Sequence, residues 1–295
     1  MNFLGILIIG GLGAGLLSGL LGIGGGTVMV PLLVAVGYSY NQAVATSSLA
    51  IVITALSGTL QNWRMGFFRP RAILLLALPA IATAQWGAYL VGQLPDFIKE
   101  TAFGLLLILT IFLVRLKQYL AQRSLTAPVG AQAAGTDSTS SPPPHTQPPS
   151  AQPLTAETLT ATAQTKPSSL NRLTARLGTG AAAGLLAGLF GVGGGVIMVP
   201  LQMLLLQEPI KTAIRTSLGV IVLTSISACL GHAQQGNVVA IAGLTLGAGG
   251  LVGAQISTRF LPKLPDRLVN LSFRGLLLVL ALYFFWRAVQ SYRAF

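Results

Sequence analysis

Charge is what this sequence has least of. Only 8% of its 295 residues are charged, where a soluble globular domain carries roughly a quarter. Eighteen Lys and Arg with six Asp and Glu cannot wet the surface of a 30.6 kDa protein. That scarcity excludes a soluble enzyme, a nucleic-acid-binding domain and a secreted scaffold. Cysteine is nearly absent too: Cys229 stands alone in an apolar run, cannot form an internal disulfide and reads as a packing residue. The first residues, Met-Asn-Phe-Leu-Gly, have no basic stretch before the apolar run, so a membrane segment is expected there rather than a cleaved signal. What is present in excess is hydrophobic: 53% of the chain, in long runs, with a mean hydropathy of +0.73. The composition predicts an all-α integral membrane protein.

The few charges are placed unevenly. A surplus of +12 could suggest a nucleic-acid partner, but Arg64, Arg69, Arg71, Arg115, Lys117, Arg172 and Arg176 sit just beyond the ends of apolar runs. That is where multi-pass proteins keep positive charge on the cytoplasmic side, and no basic face with interleaved aromatics exists to hold a nucleic acid. The acids Asp96, Glu100, Asp137, Glu157, Glu208 and Asp266 fall in the polar middle of the chain or near segment ends. None is expected at membrane depth, where proton and cation carriers commonly use one. Polar residues inside the apolar runs are neutral or positive: Thr46, Ser47, Ser48, Gln85, Arg215, Thr216, Ser217 and Gln255. Hydroxyls and amides donate hydrogen bonds to an oxyanion, and an arginine can hold one bidentately.

The chain divides into residues 1–120, 121–170 and 171–295. The middle stretch is rich in Thr, Ser, Ala, Gln and Pro, holds eight of the sixteen prolines, and has no apolar run to bury. It reads as a disordered linker, in which His145 has no metal partner nearby. On either side lie two copies of one pattern. Gly15 to Pro31 contains Gly22-Ile-Gly-Gly-Gly26, and Gly184 to Pro200 contains Gly191-Val-Gly-Gly-Gly195, aligned glycine for glycine at an offset of 169. The same offset pairs Ser47-Ser48-Leu49 with Thr216-Ser217-Leu218, and a one-residue gap later pairs Pro95-Asp96 with Pro265-Asp266. A duplicated membrane chain of this kind is a common transporter plan.

Each repeat predicts five helical pieces, the first two joined at the glycine cluster. Phe3–Tyr40 as a single helix would be nearly twice the hydrocarbon thickness at about 1.5 Å per residue, so the chain must break at the glycines. If the first two pieces form a hairpin, each repeat crosses an odd number of times and the repeats are inverted. With the linker inside, 15 basic residues then lie inside and 3 outside; parallel repeats give 11 against 7. The positive-inside tendency favours inverted repeats with both termini outside.

The glycine clusters do not read as phosphate loops, because neither a preceding strand with a later acid nor a Gly-Lys-Ser/Thr follows the pattern. In a membrane, unwound glycines free backbone groups, which is tolerated only against protein or a wet cavity. The half-helices starting at Gly26 and Gly195 would aim their positive N-termini there, making Gly24, Gly25, Gly26, Gly193, Gly194 and Gly195 candidate anion contacts. Gly11, Gly15 and Gly19, and likewise Gly180, Gly184 and Gly188, are spaced by four and read as helix-packing stripes. Thr46, Ser47, Ser48, Thr216 and Ser217 are candidate substrate hydroxyls, against the alternative that they bond their own helix. Arg215 could hold an anion or snorkel to the interface. His232, at a helix end beside Gly231, could be a proton-linked switch or a satisfied interface residue.

The duplicated Gly-x-Gly-Gly-Gly with a Val-Pro after it, Ala45-Thr46-Ser47-Ser48-Leu49, Arg215-Thr216-Ser217-Leu218 and His232-Ala-Gln-Gln-Gly236 together resemble the sulfite exporter TauE/SafE-like membrane transporters. The resemblance covers about four fifths of the chain. It implies movement of a small sulfur-containing anion such as sulfite or a sulfonate. The sequence departs from the pattern where Asn62 stands at the place of His232, and the proline-rich linker has no part in the likeness.

The expected function is therefore a secondary, alternating-access transporter of sulfur-containing anions in the plasma membrane, with the linker cytoplasmic. No nucleophile–base set, cofactor motif or metal cluster supports an enzyme. The expected partners are a small anion and the lipid bilayer, with homo-oligomerisation left open. An anion channel or a non-transporting scaffold is the competing reading.

Overall fold

The structure, a computed structural model, describes residues 3–125 and 169–294. All regular secondary structure among the described residues is helical, with no strand. They form α1 (Phe3–Leu21), α2 (Gly26–Ala35), α3 (Tyr40–Arg64), α4 (Pro70–Val91) and α5 (Asp96–Leu125) in the first repeat region. In the second they form α6 (Ser169–Phe190), α7 (Gly195–Leu205), α8 (Ile210–Gln234), α9 (Ala240–Phe260), a short 3₁₀ turn and α10 (Asp266–Ala294). Eight of these helices contain a stretch long and apolar enough to cross a membrane, and α2 and α7 are the two short ones. Residues 121–125 and 169–170, expected in the linker, are helical, and the rest of that segment lies outside the described residues.

Local signals explain most boundaries. Ser39 accepts from the Gln42 N–H and Gln42 returns a bond to the Ser39 N–H, a capping box that starts α3 at Tyr40. Pro70 opens α4, where its missing N–H costs nothing. The glycine loops break the chain as expected: Gly22, Gly24 and Gly25 have φ of 67°, 78° and 79°, and Gly191, Gly193 and Gly194 have 62°, 73° and 75°. Three left-handed residues so close together are affordable only for glycine. Past the break α2 folds back along α1. A Cβ on Gly25 would stand 3.2 Å from Ala14 O, and one on Gly10 only 2.1 Å from a Leu32 methyl. At about 1.5 Å per residue, the ten residues of α2 span half the hydrocarbon thickness.

The small-residue stripes pack as expected. Cβ atoms on Gly11 and Gly15 would lie 2.2 and 2.3 Å from the Leu246 and Gly250 carbonyl oxygens of α9. On Gly180, Gly184 and Gly188 they would lie 2.0, 2.2 and 2.1 Å from those of Leu76, Ala80 and Ala84 in α4. The α1–α9 and α4–α6 backbones are therefore nearly in contact, and packing is the role of these glycines.

At the centre α3 and α8 run antiparallel. The loop after α3 (Gly66–Arg69) meets the start of α8, while Thr46 near the start of α3 meets Val239 beyond the end of α8. In the same way α5 and α10 are antiparallel, with Glu100 near the start of α5 accepting from Arg287 late in α10. Glu100 is buried, as is Lys99, whose Nζ donates to Asn41 Oδ1 at 2.7 Å and Val91 O at 3.2 Å. These two are thus helix-packing charges rather than loop charges.

Equivalent hydrogen bonds also fix which residues of the repeats correspond. Ser47 Oγ donates to Gly191 O at 2.9 Å, and Ser217 Oγ to Gly22 O at 2.9 Å. Ser57 Oγ donates to Leu251 O and Ser227 Oγ to Ile81 O, both at 2.8 Å. From α3 and α8 onward the offset is therefore 170, and Ser47 corresponds to Ser217, not to Thr216 as the sequence pairing had it. The extra residue sits in α7, which has eleven residues where α2 has ten.

Candidate functional site

The two glycine loops meet each other. Gly24 and Gly193 both pack against Ile51 and Ile221, the residues halfway along α3 and α8. A Cβ on Gly26 would lie 2.2 Å from Gly191 O, and one on Gly195 2.1 Å from Gly22 O. Each half-helix N-terminus thus faces the carbonyl of the opposite loop, a partial negative charge at the positive end of the helix. That same carbonyl accepts a serine hydroxyl from the central helices. In this conformation Gly24, Gly25, Gly26, Gly193, Gly194 and Gly195 form a closed crossing of two loops, and Ser47 and Ser217 tie it shut. Ser48 bonds only Val44 O of its own helix, at 2.9 Å, and does not join them.

The other candidates divide between the two ends of the α3–α8 pair. At one end lies a cavity of about 150 Å³ between the Gly66–Arg69 loop and Thr212, Arg215 and Thr216 of α8. The Arg215 guanidinium lies 3.6 Å from the centroid of the Phe67 ring, and its Nε makes no hydrogen bond within the protein. Stacking holds the planar group in place while leaving donors at its edge for an acceptor. Arg69 shares the cavity, with Glu208 4.0 Å from its guanidinium. Beyond Arg69 a second hollow is lined by Arg71 and Arg176. Thr216 is 3% exposed and lines the cavity. The site is basic and supplied with unused donors, as an anion requires.

At the other end the same backbone positions are filled differently. Ala45 stands where Arg215 would be, and Val239 where Arg69 would be. Thr46, the counterpart of Thr216, accepts the Val239 N–H at 3.0 Å, bonding the start of α9 to α3. His232 lies at this end, fully buried, with Nε2 3.0 Å from Gly188 O. Gln235 Nε2 donates to Ala88 O at 2.8 Å close by. Thr46 and His232 are therefore gathered at one end and Arg215 and Thr216 at the other, with the glycine crossing between.

Sequence reasoning missed Arg69 and Phe67, because it read the α3–α4 loop only as a carrier of orientation charges, and it missed Thr212, a threonine near the start of α8. The available signal was the difference between repeats: charged residues at Arg69 and Arg215 against Val239 and Ala45.

The family described as sulfite exporter TauE/SafE matches residues 7–284. A protein named probable membrane transporter protein YunE, from Bacillus subtilis, is 26% identical over 99% of this chain and all of its own length. Probable membrane transporter protein MJ0441, from Methanocaldococcus jannaschii, is 23% identical over 77% of this chain and 71% of its own. A probable membrane transporter protein of Haemophilus influenzae is 36% identical over 34% of this chain and 43% of its own. No solved structure matches. With a duplicated, glycine-broken helical framework and a family match over nearly its whole length, the chain belongs to the sulfite exporter TauE/SafE family of multi-pass membrane transporters.

Proposed function

We propose that the protein is a secondary transporter that moves small sulfur-containing anions across the plasma membrane by alternating access between two inverted repeats. The observation that carries this reading is the inequality of the two ends of the α3–α8 pair. One has an open, basic cavity with Arg69, Thr216 and Arg215, whose Nε is unpaired, and the other is sealed by the Thr46–Val239 bond. A carrier caught open to one side has this form. The antiparallel course of the equivalent helices α3 and α8, and of α5 and α10, supports inversion. So does the gathering of Arg69, Arg71, Arg176, Lys211 and Arg215 at one end, which is then cytoplasmic together with the residue 121–170 segment. That the anion carries sulfur rests on the family alone.

The anion enters at the cavity, where guanidinium groups offset its charge, and passes the glycine crossing when the serine bonds on Gly22 O and Gly191 O release. Uptake of labelled sulfite, a sulfonate and chloride into proteoliposomes tests this. Saturable uptake of one sulfur anion, competed by its analogues, is expected. Arg215→Gln removes a charge-assisted interaction worth about 1.5–3 kcal/mol and should raise KM roughly 10- to 150-fold. An ohmic, unsaturable current would instead establish a channel.

A further inference from the structure

The two ends of the central helix pair differ in a second, deeper layer. Near the end that carries the cavity, α1 contributes Ser18, α3 contributes Asn62 and α9 contributes Thr258. Their counterparts at the sealed end are Ala187, His232 and Ala88. There His232 reaches the α6 backbone at Gly188 O and closes the gap. Asn62 has a shorter side chain at the same position; it is 2% exposed, and neither its amide oxygen nor its nitrogen makes a hydrogen bond within the protein. Thr258 and Ser18 are fully buried, and their hydroxyls are likewise unpaired.

Asn62 and Thr258 border one place between α3, α9 and α1, and Ser18 is next in the chain to the α1 glycine that lines it. Thr258 Oγ1 would lie 2.6 Å from a Cβ on Gly19, the counterpart of Gly188, and 3.3 Å from one on Gly58. Gly58 is one turn before Asn62 on the same face of α3, and Ser18 adjoins Gly19. The place also adjoins the cavity wall. The Phe67 N–H donates to Asn62 O at 2.9 Å, and the Phe67 ring carries Arg215. Buried polar groups are normally hydrogen-bonded, so a cluster of unpaired ones calls for a partner such as a ligand or water. Ser18 and Thr258 replace alanines with unpaired hydroxyls, and Asn62 leaves both its amide atoms unpaired where His232 leaves only Nδ1 so.

We infer that Ser18, Asn62 and Thr258 form an inner binding station for a small oxyanion, reached from the Arg69–Arg215 cavity. This rests on the transport reading above and extends it. Two hydroxyls and a carboxamide can donate to an oxyanion's oxygens without a counter-charge. An anion passed from guanidinium groups to neutral donors is held firmly enough to enter and loosely enough to leave, the condition for conduction through successive sites. The same oxygens could ligate a cation, but Arg69 and Arg215 at the mouth repel one.

The test uses sulfite and the full chain in two assays: proteoliposome uptake and thermal stabilisation of the purified protein. Thr258→Ala and Asn62→His install the residues of the sealed end. Each is expected to raise KM for sulfite at least about tenfold, as loss of a hydrogen bond to a charged ligand does, and to shrink the sulfite-induced rise in Tm. The ligand-free Tm is expected to hold or increase, because an unpaired buried group is removed; a merely structural role would lower it. Thr245→Ala, whose exposed hydroxyl bonds only Ile241 O, should leave both readouts unchanged. Saturable sulfite uptake by the unaltered protein, with KM and Tm shift unaffected in both variants, overturns the inner station and leaves the transport reading intact. No saturable uptake of sulfite or any other sulfur anion by the unaltered protein overturns the transport reading and the station with it.

Discussion

The Thr46–Val239 hydrogen bond is the contact whose loss should most directly change which side of the protein is open. Thr46 is fully buried, and its Oγ1 accepts the N–H of the residue that precedes α9, at 3.0 Å. Thr46→Val keeps the shape and removes the acceptor. Val239 is half-buried, so its freed N–H recovers part of the loss from solvent. The cost is then an ordinary net hydrogen bond, about 0.5–1.5 kcal/mol, rather than a fully buried orphan. If that bond exists only in the conformation sealed at this end, the population open at this end rises by roughly 2- to 12-fold. Ala45, beside it, is fully buried and reports the change once replaced by cysteine in a Cys229→Ala background. The rate of modification of Ala45→Cys by a membrane-impermeant thiol reagent should increase by that factor when Thr46→Val is added. Thr54→Val is the control, since Thr54 bonds only Ala50 O in its own helix. An unchanged rate with Thr46→Val, or an equal increase with Thr54→Val, refutes the idea that this bond holds one end closed.

Two further outcomes bear on the framework. Gly26→Ala and Gly195→Ala each place a methyl within 2.2 Å of a backbone carbonyl of the opposite loop, so each should lower Tm by several degrees and abolish uptake. Gly178→Ala, with nothing within 4 Å, should do neither. A tag fused after Phe295 should be reached by impermeant reagents only from outside the cell; a cytoplasmic tag contradicts the inverted arrangement.

Much of the fold was legible. Five helical pieces per repeat were expected and ten α-helices are present, several starting at a local signal such as the Ser39–Gln42 capping box or Pro70, while α5, α6 and α10 run on into polar sequence that hydrophobicity does not mark. The glycine stripes were readable as packing because only backbone contact explains glycine at every fourth position in a membrane helix. The candidate site was legible only in part. Ser47, Ser217, Arg215 and Thr216 could be named, but one polar residue in an apolar helix looks much like another until its neighbours are known. Ser48 bonds its own helix while Ser47, one position away, reaches across to the opposite glycine loop, a difference set by a rotation of about 100° around α3. The pairing of Ser47 with Thr216 failed for a similar reason: sequence similarity could not locate the single extra residue of α7.

Sequence alone determined that the chain lives in a membrane, that it is duplicated and that each copy breaks at a glycine cluster. These follow from composition, repetition and the length of helix that hydrocarbon accommodates, none of which depends on partners distant in the chain. Only the tertiary structure decided that the two breaks close on each other and that the candidate residues separate to opposite ends. The initial scarcity of charge acquires a location as well: Arg69 and Arg215 converge on one cavity, while the equivalent positions at the other end hold Val239 and Ala45. That difference arises from contacts between residues up to about two hundred positions apart, such as Thr46 with Val239, and no local pattern encodes them.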